Sequence, residues 1–363
     1  MRILDRYVLR GFLVNYVIAL TVMIGLYVVI DLFFNIDEFS GDQKRPFVET
    51  ARRILDFYGY NMPLYFVQLS GVITVVAACA TLARMHRVNE LTAVLASGTS
   101  LYRVAWPVIL AGLGMNLLWV LDQELLIPRI APKLARPHAD IEGNTVYPVW
   151  FVPDRDRALL SARRFLPSAG ELRGLTVVFR DEQGRLVRIL RADAARWDPA
   201  RKAWALTLGI EEHPGRESAD GTPWHEGRDV VSYYESDLTP DGILIQQASQ
   251  WTNFLSLREI ESVQRRFPND AAFVKVKHAR ITTPFVNLIL LLMGIRFFLT
   301  RERVSLVVAG GWCILVCGGC FVLTFFAQNV DFSALGTGPA LPVWLPVLIF
   351  TPVAVWMFDG LKT

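Results

Sequence analysis

Nothing in this chain is arranged to cradle a nucleotide, ligate a metal or staple a domain. No G-x-x-x-x-G-K-[ST] loop occurs, which excludes nucleotide hydrolysis by the chain itself. The histidines, His86, His138, His213, His225 and His278, are scattered, without H-E-x-x-H spacing. No G-x-S-x-G elbow presents an activated serine. Cysteine is confined to Cys79, Cys313, Cys317 and Cys320, so 84–312 holds no disulfide framework. Charge is sparse, at 20% of residues, and a net charge of +3 is too small to imply a nucleic-acid partner.

Charge is missing altogether from several long runs. Residues 11–30, 57–83 and 304–330 contain no Asp, Glu, Lys or Arg; 104–121 and 341–358 are equally clean but shorter. A sixth run, 281–295, continues through Phe297, Phe298 and Leu299 past the single Arg296. A hydrocarbon core of about 30 Å takes roughly 20 helical residues. The pattern predicts six membrane spans in two groups of three, with a polar segment between them. Hydrophobic content of 53% and a mean hydropathy of +0.34 agree. The first run is too long for the core of a signal peptide, and no small-x-small site follows promptly, so it reads as a retained span.

The bases are unevenly placed. Arg2, Arg6 and Arg10 precede the first span; Arg84, Arg87 and Arg103 lie between the second and third; Arg296, Arg301 and Arg303 follow the fourth; Lys362 closes the chain. All fall on one side of a six-span topology, and 331–340 on the other side has none. The positive-inside rule then puts both termini in the cytoplasm and the polar segment outside. The first outer loop, 35–56, runs against this with Lys44, Arg45, Arg52 and Arg53, beside the acids Asp37, Glu38, Asp42, Glu49 and Asp56.

The polar segment reads as β. Trp204, Leu206, Leu208 and Ile210 alternate with smaller residues, and Leu175, Val177 and Phe179 do the same, the period of a half-buried strand. Asp181–Gly184 and Asp198-Pro199 read as turns; 185–192, Val230–Tyr234 and Ile243–Gln247 as further strands; 211–228 as a loop. Many short strands predict a sandwich or jelly roll. Ser256-Leu-Arg-Glu259 has the form of a capping box. It predicts a helix over 257–266 with Leu257, Ile260 and Val263 on one face, either linking the sheet to the fourth span or lying on the surface of the β domain.

Two features remain. Cys317-Gly-Gly-Cys320 is formally C-x-x-C, but beside Gly310, Gly311, Gly318 and Gly319 in an apolar helix it reads as small residues for close helix approach. The link between the second and third spans predicts a short helix, Glu90 to Ala96, ending near Gly98. Leu91, Val94 and Leu95 give it an apolar side. Glu90 at its start suits the helix dipole. It equally suits a docking helix, an apolar knob with one charge inserted into a cytoplasmic partner. The two readings stand level on the residues alone.

Several strings together resemble the LptF/LptG permease family, the membrane subunits of the lipopolysaccharide-export ABC transporter. They are Leu4-Asp5-Arg6-Tyr7, Asn89-Glu90-Leu91 followed by Ala96-Ser97-Gly98, Pro128, Asp198-Pro199 with Trp204, Asp237-Leu238-Thr239-Pro240, and Leu255-Ser256-Leu257-Arg258-Glu259. The Glu-Leu…Ala-Ser-Gly string is the most specific; the Asp-Pro…Trp and Asp-Leu-Thr-Pro pieces look more like LptG than LptF. The resemblance implies a helical membrane protein with an inserted periplasmic β-jelly-roll-like domain, divided as 1–128, 129–272 and 273–363, in the bacterial inner membrane. It implies a homologous partner permease, a cytoplasmic LptB-like ATPase dimer, LptC-like and LptA-like periplasmic proteins, and lipopolysaccharide or a related lipid as cargo. No cofactor, metal or catalytic residue is expected.

By the same resemblance, Glu90 matches the acid of a coupling helix at about 88–98, with Leu91, Val94, Leu95 and Gly98. The first and fifth spans would form lateral gates, which suits the glycines of the fifth. An apolar path over Leu175, Val177, Phe179, Trp204, Leu206 and Leu208 would take the acyl chains. One departure stands out. Where G-like members often carry Lys at the outer end of the first span, this chain reads Asp31-Leu-Phe-Phe-Asn-Ile-Asp37-Glu38, which repels phosphate. The competing class is a membrane-anchored periplasmic binding or scaffold protein; a membrane enzyme ranks third for want of a catalytic cluster.

Overall fold

The computed structural model describes residues 3–40, 47–134, 146–181, 183–213, 228–247, 251–266, 271–300, 305–330 and 338–360. Lys44, Arg45, Arg301, Arg303, Lys362 and most of the expected 211–228 loop lie outside the described residues. The chain divides into two compact units, one of Met1–Ile36, Tyr58–Pro128 and Leu255–Thr363, the other of Asp37–Phe57 and Arg129–Phe254.

Six helices among the described residues are long and apolar enough to cross a membrane. They lie in α1 (Ile3–Ser40), α2 (Phe47–Arg87), α4 (Leu101–Leu121, continuing to Leu134), α8 (Ala271–Phe298), α9 (Leu306–Asn329) and α10 (Leu341–Asp359). Between α2 and α4 sits α3 (Glu90–Ala96). A π-turn, Asp122–Leu126, joins α4 to α5 (Ile127–Leu134). A span must pair its own backbone groups because hydrocarbon offers none. Side chains then fasten helix to helix. Asn15 donates to Thr81 Oγ1 at 2.9 Å, the Trp119 indole to the Val67 carbonyl at 2.9 Å, and Asn116 to the Pro284 carbonyl at 2.7 Å.

The helices outrun the apolar runs that announce them. The expected loop at 35–56 is largely helical, since α1 reaches Ser40 and α2 begins at Phe47. Ion pairs one turn apart, Arg53 with Glu49 and Arg52 with Asp56, support that polar start. Likewise α8 begins ten residues before the apolar run and carries Lys275, Lys277 and Arg280 in its first three turns.

The second unit is an eight-stranded antiparallel sheet of β1 (Tyr147–Pro153), β2 (Leu159–Leu166), β3 (Glu171–Arg180), β4 (Leu186–Asp198), β5 (Ala203–Thr207), β6 (Ile210–Glu212), β7 (Arg228–Val230) and β8 (Tyr233–Glu235). The order is β1-β2-β3-β4-β5-β8, with β6 lying between β4 and β7. The alternation of β3 is borne out: Leu172, Leu175, Val177 and Phe179 are buried. The turn at Asp198-Pro199 brings Trp197 opposite Trp204 with ring centroids 5.2 Å apart, and the Trp204 indole donates to the Leu238 carbonyl.

Three strand expectations are corrected. Val230–Tyr234 is not one strand, since Val230 ends β7 and Tyr233 opens β8, and the two pair with different neighbours. The run Trp204–Ile210 is interrupted, because Leu208 takes a left-handed backbone (φ 54°) between β5 and β6. Its register against β4 is unbroken from Asp198↔Ala203 to Ile189↔Glu212. On its other side residues 206–209 face only 231–232, between Ala205↔Tyr233 and Ile210↔Val230, so the extra residues bulge. A Cβ on Gly209 would strike the Val231 carbonyl, which is why the bulge holds glycine there. Ile243–Gln247 is not a strand but the end of helix α6 (Pro240–Gln247). Alternating Ile243 and Ile245 imitate a strand, but Thr239 accepts from the Gly242 amide at 3.0 Å and Pro240 opens the first turn. Ile243 and Leu244 then join the sheet's core.

One buried carboxylate organises the corner of this sheet. Asp154 is 3% exposed and accepts from the Tyr234 phenol at 2.7 Å, the Ser236 hydroxyl, the Arg155 amide at 2.7 Å and the Asp237 amide at 3.1 Å. Burial and the adjacent Asp154 charge push the Tyr234 phenol well above its usual range. Replacing Asp154 with Ala strands these buried donors and should cost about 3 kcal/mol. Hydrogen exchange on the full chain should show selective loss of protection in β8 and the 154–158 turn; unchanged protection would mean the cluster is dispensable.

Candidate functional site

The short helix α3 is built as its sequence implies. Asn89 precedes it in a left-handed conformation (φ 57°), which Asn tolerates better than most residues. Gly98 (φ 76°) ends it in a Schellman turn, with the Gly98 amide donating to the Leu95 carbonyl at 3.0 Å and the Thr99 amide to the Val94 carbonyl at 3.4 Å. The apolar side does not project as a knob. Leu91 is 2% exposed inside the helical core, and Val94 and Leu95 pack against that core. A 3.6-residue period that turns these three inward leaves Thr92, Ala93 and Ala96 facing out. Glu90 is anchored: its Oε1 accepts from the Tyr7 hydroxyl of α1 at 2.8 Å, while Oε2 is enclosed without a hydrogen-bond partner.

The fifth span has two unlike stripes. Cys313, Cys317 and Cys320 are buried in the helical core. The Cys313 sulfur lies 3.7 Å from that of Cys79 in α2 and 3.9 Å from that of Cys317. Gly311 and Gly319 are exposed, while Gly310 and Gly318 border the cysteines' face, and at all four an added Cβ would meet no other part of the chain within 4 Å. Close helix approach inside this chain is instead made by Gly71, Gly112 and Gly294, where a Cβ would collide with Asn287, Leu291 and Val75 respectively. Gly294 is the one glycine of α8, and Gly71 and Gly112 share their helices with only Gly59 and Gly114, so no run marked them in the sequence. An apolar groove of about 480 Å³ runs between α2, α8 and α9, bounded by Val76, Cys79, Leu290, Gly310, Gly318 and Phe321 among others.

The apolar ridge of the β unit is divided. Leu175, Val177, Phe179 and Trp204 are sealed in its core, and Leu206 is packed against it. Leu208 is 71% exposed, with Ile210 and Val230 also exposed and paired across β6 and β7. The kink that corrects the strand therefore turns part of the ridge outward.

A polar clamp in the helical unit escaped the sequence reading. Glu124, in the π-turn, accepts from the Leu257 amide at 2.8 Å and faces Arg280 of α8 at 3.7 Å. The capping box forms as expected, Ser256 and Glu259 exchanging hydrogen bonds at 2.7 and 3.4 Å, and starts helix α7 (Leu257–Arg266) with Ile260 fully buried. Lys277 of α8 then pairs with Glu261 at 2.7 Å and holds its carboxyl below the usual range. The cluster thus ties α7 to the third and fourth spans, which places α7 with the helices rather than on the sheet. At the far end of α1, Asp31 accepts from the Tyr58 phenol at 2.8 Å and from Asn35 at 3.1 Å, so that acid is turned against α2.

Compared with known proteins, the chain matches the family model described as lipopolysaccharide export system permease LptF/LptG over residues 6–359. The match does not separate the two members. No curated protein matches.

The unequal glycines give a direct test. Gly294→Leu drives a side chain into Val75 of α2, and overpacking of this kind costs about 1–3 kcal/mol. Gly318→Leu meets open space. In thermal denaturation of the purified chain, the first should lower the midpoint by several degrees and the second should leave it unchanged; the opposite order would place the close helix contact on α9.

Proposed function

The chain belongs to the LptF/LptG family of lipopolysaccharide export permeases, and from that premise we propose that it is one of two homologous permeases driven by a separate cytoplasmic ATPase dimer of the LptB kind. The observation that carries the reading is α3, a seven-residue helix held between two spans with an acid at its first position and a Schellman turn at its end. Nothing on its outward face resembles a catalytic group. Its small residues, Thr92, Ala93 and Ala96, suit a close backbone approach by a partner, and Glu90 Oε2 lacks a donor that a partner's base would supply. A buried carboxylate oxygen without a donor is costly, so an incoming cation has something to gain.

On this reading α3 and both termini face the cytoplasm, and the β unit faces the periplasm, where it hands lipid to LptC-like and LptA-like proteins. The first and fifth spans form the gates. The glycines of α9, where an added Cβ would meet nothing of this chain, suit closure against the partner permease or a lipid. The cargo is a phosphate-bearing lipid. Asp31 does not face it freely, since Tyr58 and Asn35 hold that carboxylate, and the matching bases come from the loop at Lys44 and Arg45 or from the partner permease.

Glu90→Lys should weaken assembly with the ATPase more than Glu90→Ala, because it opposes like charges. The loss of one member of a desolvated pair is worth about 2–5 kcal/mol. Copurification and ATPase stimulation read this out; normal assembly of Glu90→Lys would leave Glu90 as a helix-dipole residue and favour a scaffold.

The lipid's route over the sheet is tested by photo-crosslinking residues in the assembled complex. Leu208, exposed at the kink, should capture lipid only when the ATPase and ATP are present. Val177, sealed in the core, should do so only if the sheet opens during turnover. No ATP-dependent adduct at Leu175, Val177, Leu206 or Leu208 would move the path off this ridge.

A further inference from the structure

The least buried span is the first. Only 6% of its most apolar window is buried in the chain, against 44–50% for the second, third and fourth spans. Val14, Val17, Ile18 and Val22 face outward, while Val8, Phe12, Tyr16 and Ala19 pack into the helical core, so one narrow apolar stripe in its first half holds α1. Beside that stripe Tyr7, Gly11 and Asn15 stand one turn apart along the flank of α1, Tyr7 exposed and the other two half-buried. Asn15 donates to Thr81 of α2, and Tyr7 donates to Glu90 of α3 across 83 positions of sequence. Around the second contact a cavity of about 330 Å³ opens, bounded by Arg10, Asn15, Arg84 and Met85 as well as the bonded pair. The contact thus has room to change. It joins the least buried span directly to the one acid of the docking helix.

We infer that Tyr7 is a positioning residue that couples docking at α3 to the placement of α1. The inference rests on the docking role proposed for Glu90. The carboxylate has two oxygens, and Tyr7 takes one. A base arriving from a partner takes the other, and a carboxylate shared between a cation and a phenol holds both in fixed geometry. The bond stands without a partner; a base at the second oxygen reinforces it, so docking biases α1 further toward the position in which the phenol reaches Glu90, and loss of the docked base weakens that bias. That is a shift between two placements of one element, driven by the difference in contacts that each offers. Coupling of this kind changes an affinity or a population by about 5- to 150-fold.

The test uses the full chain in lipid nanodiscs, alone and assembled with its partner permease and ATPase. Spin labels go on Val22→Cys in α1, roughly 22 Å along the helix from Tyr7, and on Thr92→Cys at the exposed face of α3. Tyr7→Phe keeps the ring and removes only the hydroxyl. Without the ATPase it should broaden the label-to-label distance distribution. In the complex it should abolish the change in distance on ATPase and nucleotide binding, and lower the lipid moved per ATP hydrolysed at least fivefold. ATPase affinity should stay within about threefold. Glu90→Gln keeps an acceptor for Tyr7 but loses the charge; it should keep the narrow distribution in the chain alone while losing ATPase affinity at least tenfold. A Tyr7→Phe chain with the wild-type distance response and lipid yield would overturn the inference. Wild-type ATPase affinity in Glu90→Gln would overturn the docking role on which it rests, a result read separately from the behaviour of Tyr7→Phe.

Discussion

The structure depends on a single constraint: a backbone amide or carbonyl needs a partner where water is absent. In the helical unit this dictates helices, and it governs how they are broken. The spans carry Pro63, Pro107, Pro284, Pro346 and Pro352, each of which removes a donor. Asn116 reaches across to the carbonyl of Pro284, and Trp119 reaches across to a carbonyl one turn beyond Pro63. These two side chains bind one helix to the next through backbone carbonyls. The β unit meets the constraint at its tightest turn with Asp154, whose carboxylate takes two backbone amides and two hydroxyls.

The spans were legible because charge is costly in hydrocarbon and its absence over a helix length has few other causes. Their ends were not. Arg280 and Glu124 lie where hydropathy falls away, and only the fold reveals that each answers the other. The start of α7 was legible to the residue, because a capping box is local chemistry. The strand at Ile243 was misread because alternation cannot outweigh a Thr-Pro helix start. Leu208 was misread for the opposite reason: its backbone is set by a bulge against a distant strand, which no local pattern encodes.

For the candidate site the sequence was most informative about identity and least about direction. Glu90 and Gly98 stand where the motif implies. Leu91 faces the other way, because a helix of two turns between spans must spend its apolar side on its own bundle. The glycines divide similarly. Those in the conspicuous run of α9 leave room for a side chain, and glycines at 71, 112 and 294 let the bundle close.

The Trp197–Trp204 pair has an optical consequence. Two indoles 5.2 Å apart and inclined at 61° bring their transition dipoles within strong coupling distance. Such a pair splits its excited state and produces a two-lobed circular dichroism band. Because the two rings sit directly opposite on β4 and β5, a slip of one residue would turn one of them to the other face and erase the band. The sheet therefore carries its own register marker, readable in detergent or membrane without any added label.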